Sequence, residues 1–409
     1  MRRLVEEKTD CYRLFHGAVE GCPGLTVDRY GTASRVVLVQ TFRDPPVDFG
    51  ASTVDELCRL ASIAMNDAAT QSSSSSPSLS SSSVVTKCFF PVWNDRRKKD
   101  NRRRENRGSE PEVPPRHKLS TEHEPSPEAL GVKVGLENGV RYPLAARHRG
   151  LDPWLFLDLR AARTWVLNNS EGLEVLNLFS YTGGVGVAAA CGGAKSVWNV
   201  DFSSTAHEVG RGSLKLNAAA AGDCKCEWKK LDVLPTVRQL AGIATKDYRR
   251  EKGGKHSRQE TGGRGRGRRG RGGRYNNNDG IRGGGRRGDG RGDSDDGATK
   301  NKEVVLKPKQ FDVVFLDPPT WSKSTHGAVD LVRDYQSLFK PSLLATKEGG
   351  AVVATNHVSS VDCAEWVESL SRCAAKAGRE VESVEVLLPA EDFPSPDGKH
   401  PLKVAIFRV

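Results

Sequence analysis

From Gly172 onward, apolar and polar positions fall into alternating blocks. GLEVLNLFS (Gly172 to Ser180) is a short apolar run and predicts a strand; GVGVAAACGG (Gly184 to Gly193) predicts a helix that ends in glycine. KSVWNVDFS (Lys195 to Ser203) predicts the next strand and TAHEVGRGSLKLNAA (Thr205 to Ala219) the next helix. CEWKKLDVL, FDVVFLDPP and GGAVVATNH then read as strands, and PLKVAIFRV as a hairpin-like end. Upstream, VKVGLENGVRYPL predicts a hairpin turning at Glu137-Asn138-Gly139, and DLRAARTWVLNN (Asp158 to Asn169) a helix. Strand–helix alternation of this kind predicts an α/β fold, a Rossmann-like doubly wound sheet with helices on both faces.

The N-terminal part has its own pattern. SRVVLVQTF (Ser34 to Phe42) and KCFFPVW (Lys87 to Trp93) read as strands, and DELCRLASIAMNDAA (Asp55 to Ala69) has helical spacing. The expected organisation is a small α/β domain over 1–107, a Pro- and Glu-rich linker over 108–130, and a main domain over 131–409. Two polar stretches interrupt it: a Ser-rich segment at 71–83 and an Arg- and Gly-rich one at 249–302. Neither holds enough apolar surface to order itself, so both read as disordered insertions.

Composition narrows the class. The 409 residues carry a net charge of +11, which favours an anionic partner such as nucleic acid, although the Arg-rich insertion also inflates the total. The run DRRKKDNRRRENR (Asp95 to Arg107) reads either as a solvated loop or as a phosphate contact. Nine cysteines, an odd number without a CxxC pair, argue against a disulfide framework and a zinc ribbon, so no metal is expected. No apolar run is long enough to span a bilayer, and the start MRRLVEEKTD has no signal-peptide h-region.

Three motifs carry chemistry. In NLFSYTGGVGVAAA a strand runs through a glycine turn into a helix, letting a ligand approach the backbone at a helix N-terminus. The next strand ends in Asp201, about 20 residues on, where a carboxylate meets ribose hydroxyls in nucleoside-binding sheets. The alternative is a generic β–α turn. Asp232, in KKLDVL, is either a neighbour of an adenine ring or a solvated strand-end carboxylate. In LDPPTWSKS a carboxylate follows a buried strand and leads into a rigid Pro318-Pro319 turn at the ligand-binding end of the sheet, with Trp321 placed to stack on a flat base.

NLFSYTGG, the strand-end VD and DPPTWSKS resemble class I S-adenosylmethionine-dependent methyltransferases of bacterial large-subunit ribosomal RNA, the RlmI- and RlmK-like group. DCYRLFHGAVEGCPGLTVDRYG resembles the small domain that precedes catalysis in that group, LFLDLRAAR its FLDxRxxR segment, and DFPSPDGKHPLKVAIFRV its closing segment. The resemblance implies S-adenosyl-L-methionine as cofactor and ribosomal RNA or a pre-ribosomal particle as partner. It implies Ser180, Tyr181, Thr182, Gly183 and Gly184 along the methionine part, Asp201 at the ribose and Asp232 by the adenine. Asp317, Pro318 and Pro319 would face the sulfonium and the target base. Asp158 and Arg160 would sit near the cofactor, with Arg163 holding that segment.

The target base is read from the end of GGAVVATNH. Cytosine C5 methylation needs a thiolate to add to C6. Thr355-Asn356-His357 holds no cysteine, and Cys363 lies six residues on, in a following helix. Guanine N7 has a lone pair and needs only alignment and recognition of the guanine edge, for which Asn356 and His357 are the candidates. Guanine N7 is therefore expected over cytosine C5, with adenine N6 third. A non-catalytic RNA-binding protein on the same scaffold, or an enzyme acting on protein or a small molecule, are the competing classes. Low-complexity insertions suggest a eukaryote, hence a plastid or mitochondrial ribosome ahead of the cytoplasm, and a monomer or simple dimer.

Overall fold

The computed structural model describes residues 6–31, 36–41, 84–89, 117–119, 133–145, 152–243, 305–319, 321–324, 327–330 and 334–409, with Leu4 and Val332. The predicted helix at 55–69, the charge run at 95–107 and the two polar insertions lie outside these residues.

Five strands form the N-terminal sheet in the order β1 to β5: β1 (Cys11–Phe15), β2 (Leu25–Tyr30), β3 (Val36–Thr41), β4 (Val84–Phe89) and β5 (His117–Leu119). β1 to β3 run antiparallel and β4 joins parallel to β3. Next comes the hairpin: β6 (Lys133–Glu137) and β7 (Val140–Leu144) turn at Asn138 (φ 50°) and Gly139 (φ 77°). Both central residues have positive φ, the geometry for which Asn-Gly is favoured.

The main sheet takes its strands from β8 (Glu174–Leu178), β9 (Ser196–Asp201), β10 (Lys225–Lys230), β11 (Phe311–Leu316), β14 (Thr346–Asn356), β15 (Ser383–Leu387) and β16 (Lys403–Arg408). Between β11 and β14 the chain adds a small antiparallel ribbon, β12 (Trp321–Ser324) with β13 (Gly327–Asp330). The order in the seven-stranded sheet is β10-β9-β8-β11-β14-β16-β15. The first five are parallel, and β16 runs antiparallel between β14 and β15. Strand order reverses between β8 and β11, where Leu178 lies opposite Leu316. Ligands bind at such a switch point, outside the carboxyl ends of the strands.

Buried side chains alternate across the sheet. Val175, Val313, Phe315 and Val353 pack on one face with Ala162 and Val166 of α1 (Arg160–Asn168) and Val185 and Ala189 of α2 (Gly184–Cys191). Leu176, Val314, Leu316 and Val352 pack on the other. There they meet α5 (Val233–Leu240), α6 (Gln336–Leu344) and α7 (Cys363–Lys376), while α3 (Ser204–Leu216) and the short α4 (Ala218–Ala221) follow β9. Sheet strands buried on both faces read as near-continuous apolar runs, as β8, β11 and β14 do. Three elements differ from the expectation. The "DVL" of CEWKKLDVL opens α5 instead of extending a strand, and α6 and β15 stand where the pattern predicts no element; PLKVAIFRV forms β16, which pairs antiparallel with the preceding strand β15 and, on its other edge, with β14.

Candidate active site

The loop after β8 is tightly wound. Phe179 (φ 56°), Tyr181 (φ 49°) and Gly183 (φ 70°) are all left-handed. For the two non-glycine residues that conformation costs about 1–3 kcal/mol each and persists only where the surroundings over-determine it. The surroundings here are specific. Ser180 N–H donates to Val200 O at 3.0 Å, Thr182 Oγ1 donates to Trp154 O at 2.8 Å, and Gly183 N–H donates to Ser180 O at 2.7 Å. Gly183 is the N-cap of α2 and provides no side-chain cap, so the first N–H groups of α2 are left for other acceptors.

Asp201 closes β9 and is 7% exposed. Its Oδ2 accepts from Tyr181 N–H and its Oδ1 from Ser203 N–H, both at 2.9 Å, so the carboxylate is fixed against the loop. The glycines of this region are close-approach positions. A Cβ on Gly183 would stand 2.5 Å from the Trp228 ring, and one on Gly186 would stand 2.1 Å from Asn199 Oδ1. Gly186→Ala is therefore expected to displace the loop and weaken nucleoside binding at least tenfold, read by calorimetric titration with S-adenosylhomocysteine; an unchanged affinity would refute this account of the turn. Asp232 is the N-cap of α5, accepting from Leu234 N–H at 3.1 Å, and Leu231 N–H bonds Asp201 O, so the β9 and β10 ends are tied together. Directly after Asp201 stands Phe202, 74% exposed. Sequence reasoning misses it, although an aromatic one residue past a strand end is a visible signal.

A second group gathers at the ends of β11 and β14. Thr355 Oγ1 donates to Asp317 Oδ1, and His357 Nε2 lies 2.7 Å from the same oxygen. Burial would lower the His357 pKa, but the Asp317 charge and hydrogen bond outweigh it, and the net direction is upward. Asp158, in the 3-10 turn Leu157–Leu159 ahead of α1, is raised by burial, with His357 pulling it down and Asp317 pushing it up. Asp158, Asp317 and His357 thus form one electrostatic unit at the switch point. Pro318 is buried and Pro319 exposed.

Not every expected residue joins these groups. Arg160 turns to the carbonyl of Cys11 at 3.2 Å and to the Asp392 carboxylate, linking β1 to the segment before β16. Asn356 is fully buried; its Oδ1 accepts from Val358 N–H at 2.9 Å and its Nδ2 has no partner. Trp321 begins β12, and its side chain lies outside the described residues. Arg163 makes a bidentate pair with Glu137, both bonds 2.6 Å, and reaches Phe156 O at 2.7 Å. Among the described residues no group of His, Cys, Asp and Glu is placed to hold a metal ion, and no helix is long and apolar enough to cross a membrane.

Comparison with known proteins finds similarity over part of the chain. Residues 118–233 match the family model described as S-adenosylmethionine-dependent methyltransferase. The chain is 25% identical over 258 residues to ribosomal RNA large subunit methyltransferase I of Aeromonas salmonicida, covering 63% of this chain and 48% of that protein. It is 26% identical over 217 residues to ribosomal RNA large subunit methyltransferase K/L of a Psychrobacter species, covering 53% of this chain and 19% of that protein. The chain therefore spans about half the length of the first relative and about a fifth of the second. Among solved structures, SMU.776 complexed with SAH, described as a methyltransferase, superposes with a TM-score of 0.59 at 18% identity, covering 100% of this chain and 78% of that one. The SAM-dependent methyltransferase from Agrobacterium tumefaciens gives 0.50 at 14%, covering 98% and 90%. At these identities the superpositions establish the fold.

Proposed function

We propose that this chain, similar to RlmI- and RlmK-like S-adenosylmethionine-dependent methyltransferases, methylates a base of large-subunit ribosomal RNA, with guanine N7 as the acceptor. The observation that carries the reading is the juxtaposition, across the β8/β11 switch point, of the loop that Asp201 fixes with the Asp317–His357 pair.

The residues fit the cofactor. Asp201, oriented by two backbone N–H groups, offers its remaining lone pairs to ribose hydroxyls. Phe202 offers an apolar face for the adenine, and Asp232 stands at the adjacent strand end. The backbone of Ser180 to Gly184, with the open N-terminus of α2, suits the methionine carboxylate. When bound, the cofactor supplies a methyl group on a cationic sulfur.

Transfer to guanine N7 moves positive charge onto the base and removes no proton. The Asp317 carboxylate would stand where that charge arrives, with its oxygen facing His357 and Thr355. The cytosine C5 reading lacks its thiolate: Cys363 is the first residue of α7, and burial pushes its thiol up, with Lys403 pulling against it. Adenine N6 keeps one argument, because His357 beside Asp317 is a proton acceptor that an exocyclic amine requires.

The test is methyl transfer from radiolabelled S-adenosylmethionine to unmodified large-subunit ribosomal RNA, with the product nucleoside identified by mass spectrometry. 7-Methylguanosine supports the reading. 5-Methylcytidine or N6-methyladenosine keeps the enzyme and replaces the base. Absence of cofactor binding would leave an RNA-binding scaffold. The expected compartment, plastid or mitochondrion, is part of the same reading and is tested by localising the tagged protein.

The His357–Asp317 pair also sets a pH dependence. A histidine whose pKa is raised on folding contributes stability that is complete below its unfolded pKa, about 6.5, and is lost as pH rises through the folded value. Thermal stability is thus expected to fall between neutral and mildly alkaline pH, and the His357→Gln variant to lose that slope. A variant with the wild-type slope would assign the effect elsewhere.

A further inference from the structure

Beside the carboxylate group lies a cavity of about 340 Å³ that no sequence motif announces. His357 and Asp158 line it from the main sheet, Phe156 from the segment before α1, His16 and Asp28 from the N-terminal sheet region, and His400 from the segment before β16. We propose that this cavity receives the target nucleobase, with Phe156 as its stacking platform and the N-terminal sheet as its far wall. The proposal rests on the RNA methyltransferase reading and names the pocket and the residues that reading left open.

Four observations carry it. The volume falls in the range of small-molecule pockets and exceeds what one base needs. Position is the second: His357 is shared between the cavity and Asp317, so an occupant sits one side chain from the carboxylate at the switch point. Third, Phe156 is 37% exposed, and its ring lies 5.7 Å from that of Tyr181, centroid to centroid, at 53°. A single aromatic thus touches the cofactor loop on one side and the cavity on the other, and single bases are recognised by stacking on such rings.

The far wall supplies the fourth. Asp28 is buried and holds Arg13 through bonds of 2.7 and 3.1 Å, so the Arg13 charge is already neutralised. His16 carries a buried Nδ1 without a hydrogen-bond partner, and burial and Arg13 lower its pKa, so the ring is neutral at neutral pH. A buried, unpaired ring nitrogen beside a cavity is a site waiting for a polar edge. With Arg13 paired to Asp28, that wall presents no unbalanced positive charge to hold a phosphate, which suits a neutral base edge instead.

The experiment uses the full chain. Phe156→Ala is expected to raise the KM for unmodified large-subunit ribosomal RNA by about ten- to a hundredfold. Its Kd for S-adenosylhomocysteine should stay within about twofold of wild type, and Phe156→Leu should fall between the two proteins. His16→Ala should raise the same KM severalfold with no change in cofactor Kd. Phe156→Trp, loaded with S-adenosylhomocysteine, should show fluorescence quenching on adding that RNA. An RNA KM unchanged in both Phe156→Ala and His16→Ala, in an active enzyme, overturns the pocket while leaving the methyltransferase reading intact. Weakened cofactor binding with an unchanged RNA KM overturns it too, reducing Phe156 to a prop for the Tyr181 loop. A wild-type protein that binds cofactor and transfers no methyl to this RNA overturns the RNA reading, and the pocket with it.

Discussion

Asp317→Asn is expected to lower kcat for methyl transfer by about 10²–10³-fold, the usual consequence of removing one oriented charge or dipole from a reacting centre. The amide is nearly isosteric and keeps an oxygen that can accept from Thr355 Oγ1, so the ends of β11 and β14 stay joined. The substitution removes the negative charge. Without it the His357 imidazole loses the partner that raises its pKa, and the base loses the charge that offsets its own developing one. The loss should appear in kcat, with cofactor Kd close to wild type and the His357-linked pH dependence of Tm lost, as in His357→Gln. Methyl transfer at the wild-type rate would remove Asp317 from the reacting centre; equal losses in kcat and cofactor affinity would make it a cofactor ligand only.

The second large effect is on stability. Arg163→Met is expected to destabilise the protein by about 3–5 kcal/mol, because it strands a carboxylate in the interior. The Arg163 and Glu137 side chains are 4% and 1% exposed. Burial alone would lower the Arg163 pKa, and Glu137 more than reverses that. Since an apolar pair of similar volume is often as stable as a buried ion pair, Arg163→Met combined with Glu137→Leu should recover most of the loss. Chemical denaturation of the two variants decides it; a double variant no more stable than the single one would show that the guanidinium matters for something besides Glu137. That remainder has a candidate in its bond to Phe156 O, which ties the ion pair to the segment carrying Phe156 and Asp158.

Arg163 and Arg160 show where the sequence was legible and where it was not. Both sit in one recognisable segment, three residues apart, and nothing local separates their tasks. Their partners do: Glu137 lies in the hairpin before the segment, whereas Asp392 lies more than two hundred residues after it. The β8–loop–α2–β9 unit was readable because its periodicity, its glycines and its strand-end carboxylate all lie within 30 residues. α5 was hidden because Asp232 reads as a strand end. In the fold Asp232 caps the helix and Pro235 falls in its first turn, where no N–H is missed. α6 carries Pro341 inside it, a residue that local propensity counts against a helix. The coupling of Asp317 to His357, 40 residues apart, depends on strand register, and the wall that His16 and Asp28 form depends on tertiary packing. Neither leaves a trace in local pattern.

The antiparallel strand β16 has a consequence for how this protein is made. It lies between β14 and β15, pairing with both, and Val409 N–H bonds back to Gly350 O. During synthesis, β14 therefore emerges with one unpaired edge and keeps it until residues 403–408 have left the ribosome. An open strand edge is the template for unwanted pairing between chains. Arg160 likewise waits for Asp392, and the cavity for His400. The unfinished polypeptide thus passes through an interval in which its parallel strands are made, its sheet is open on one side, and its substrate pocket has no floor. That interval is when a chaperone would be of most use to it.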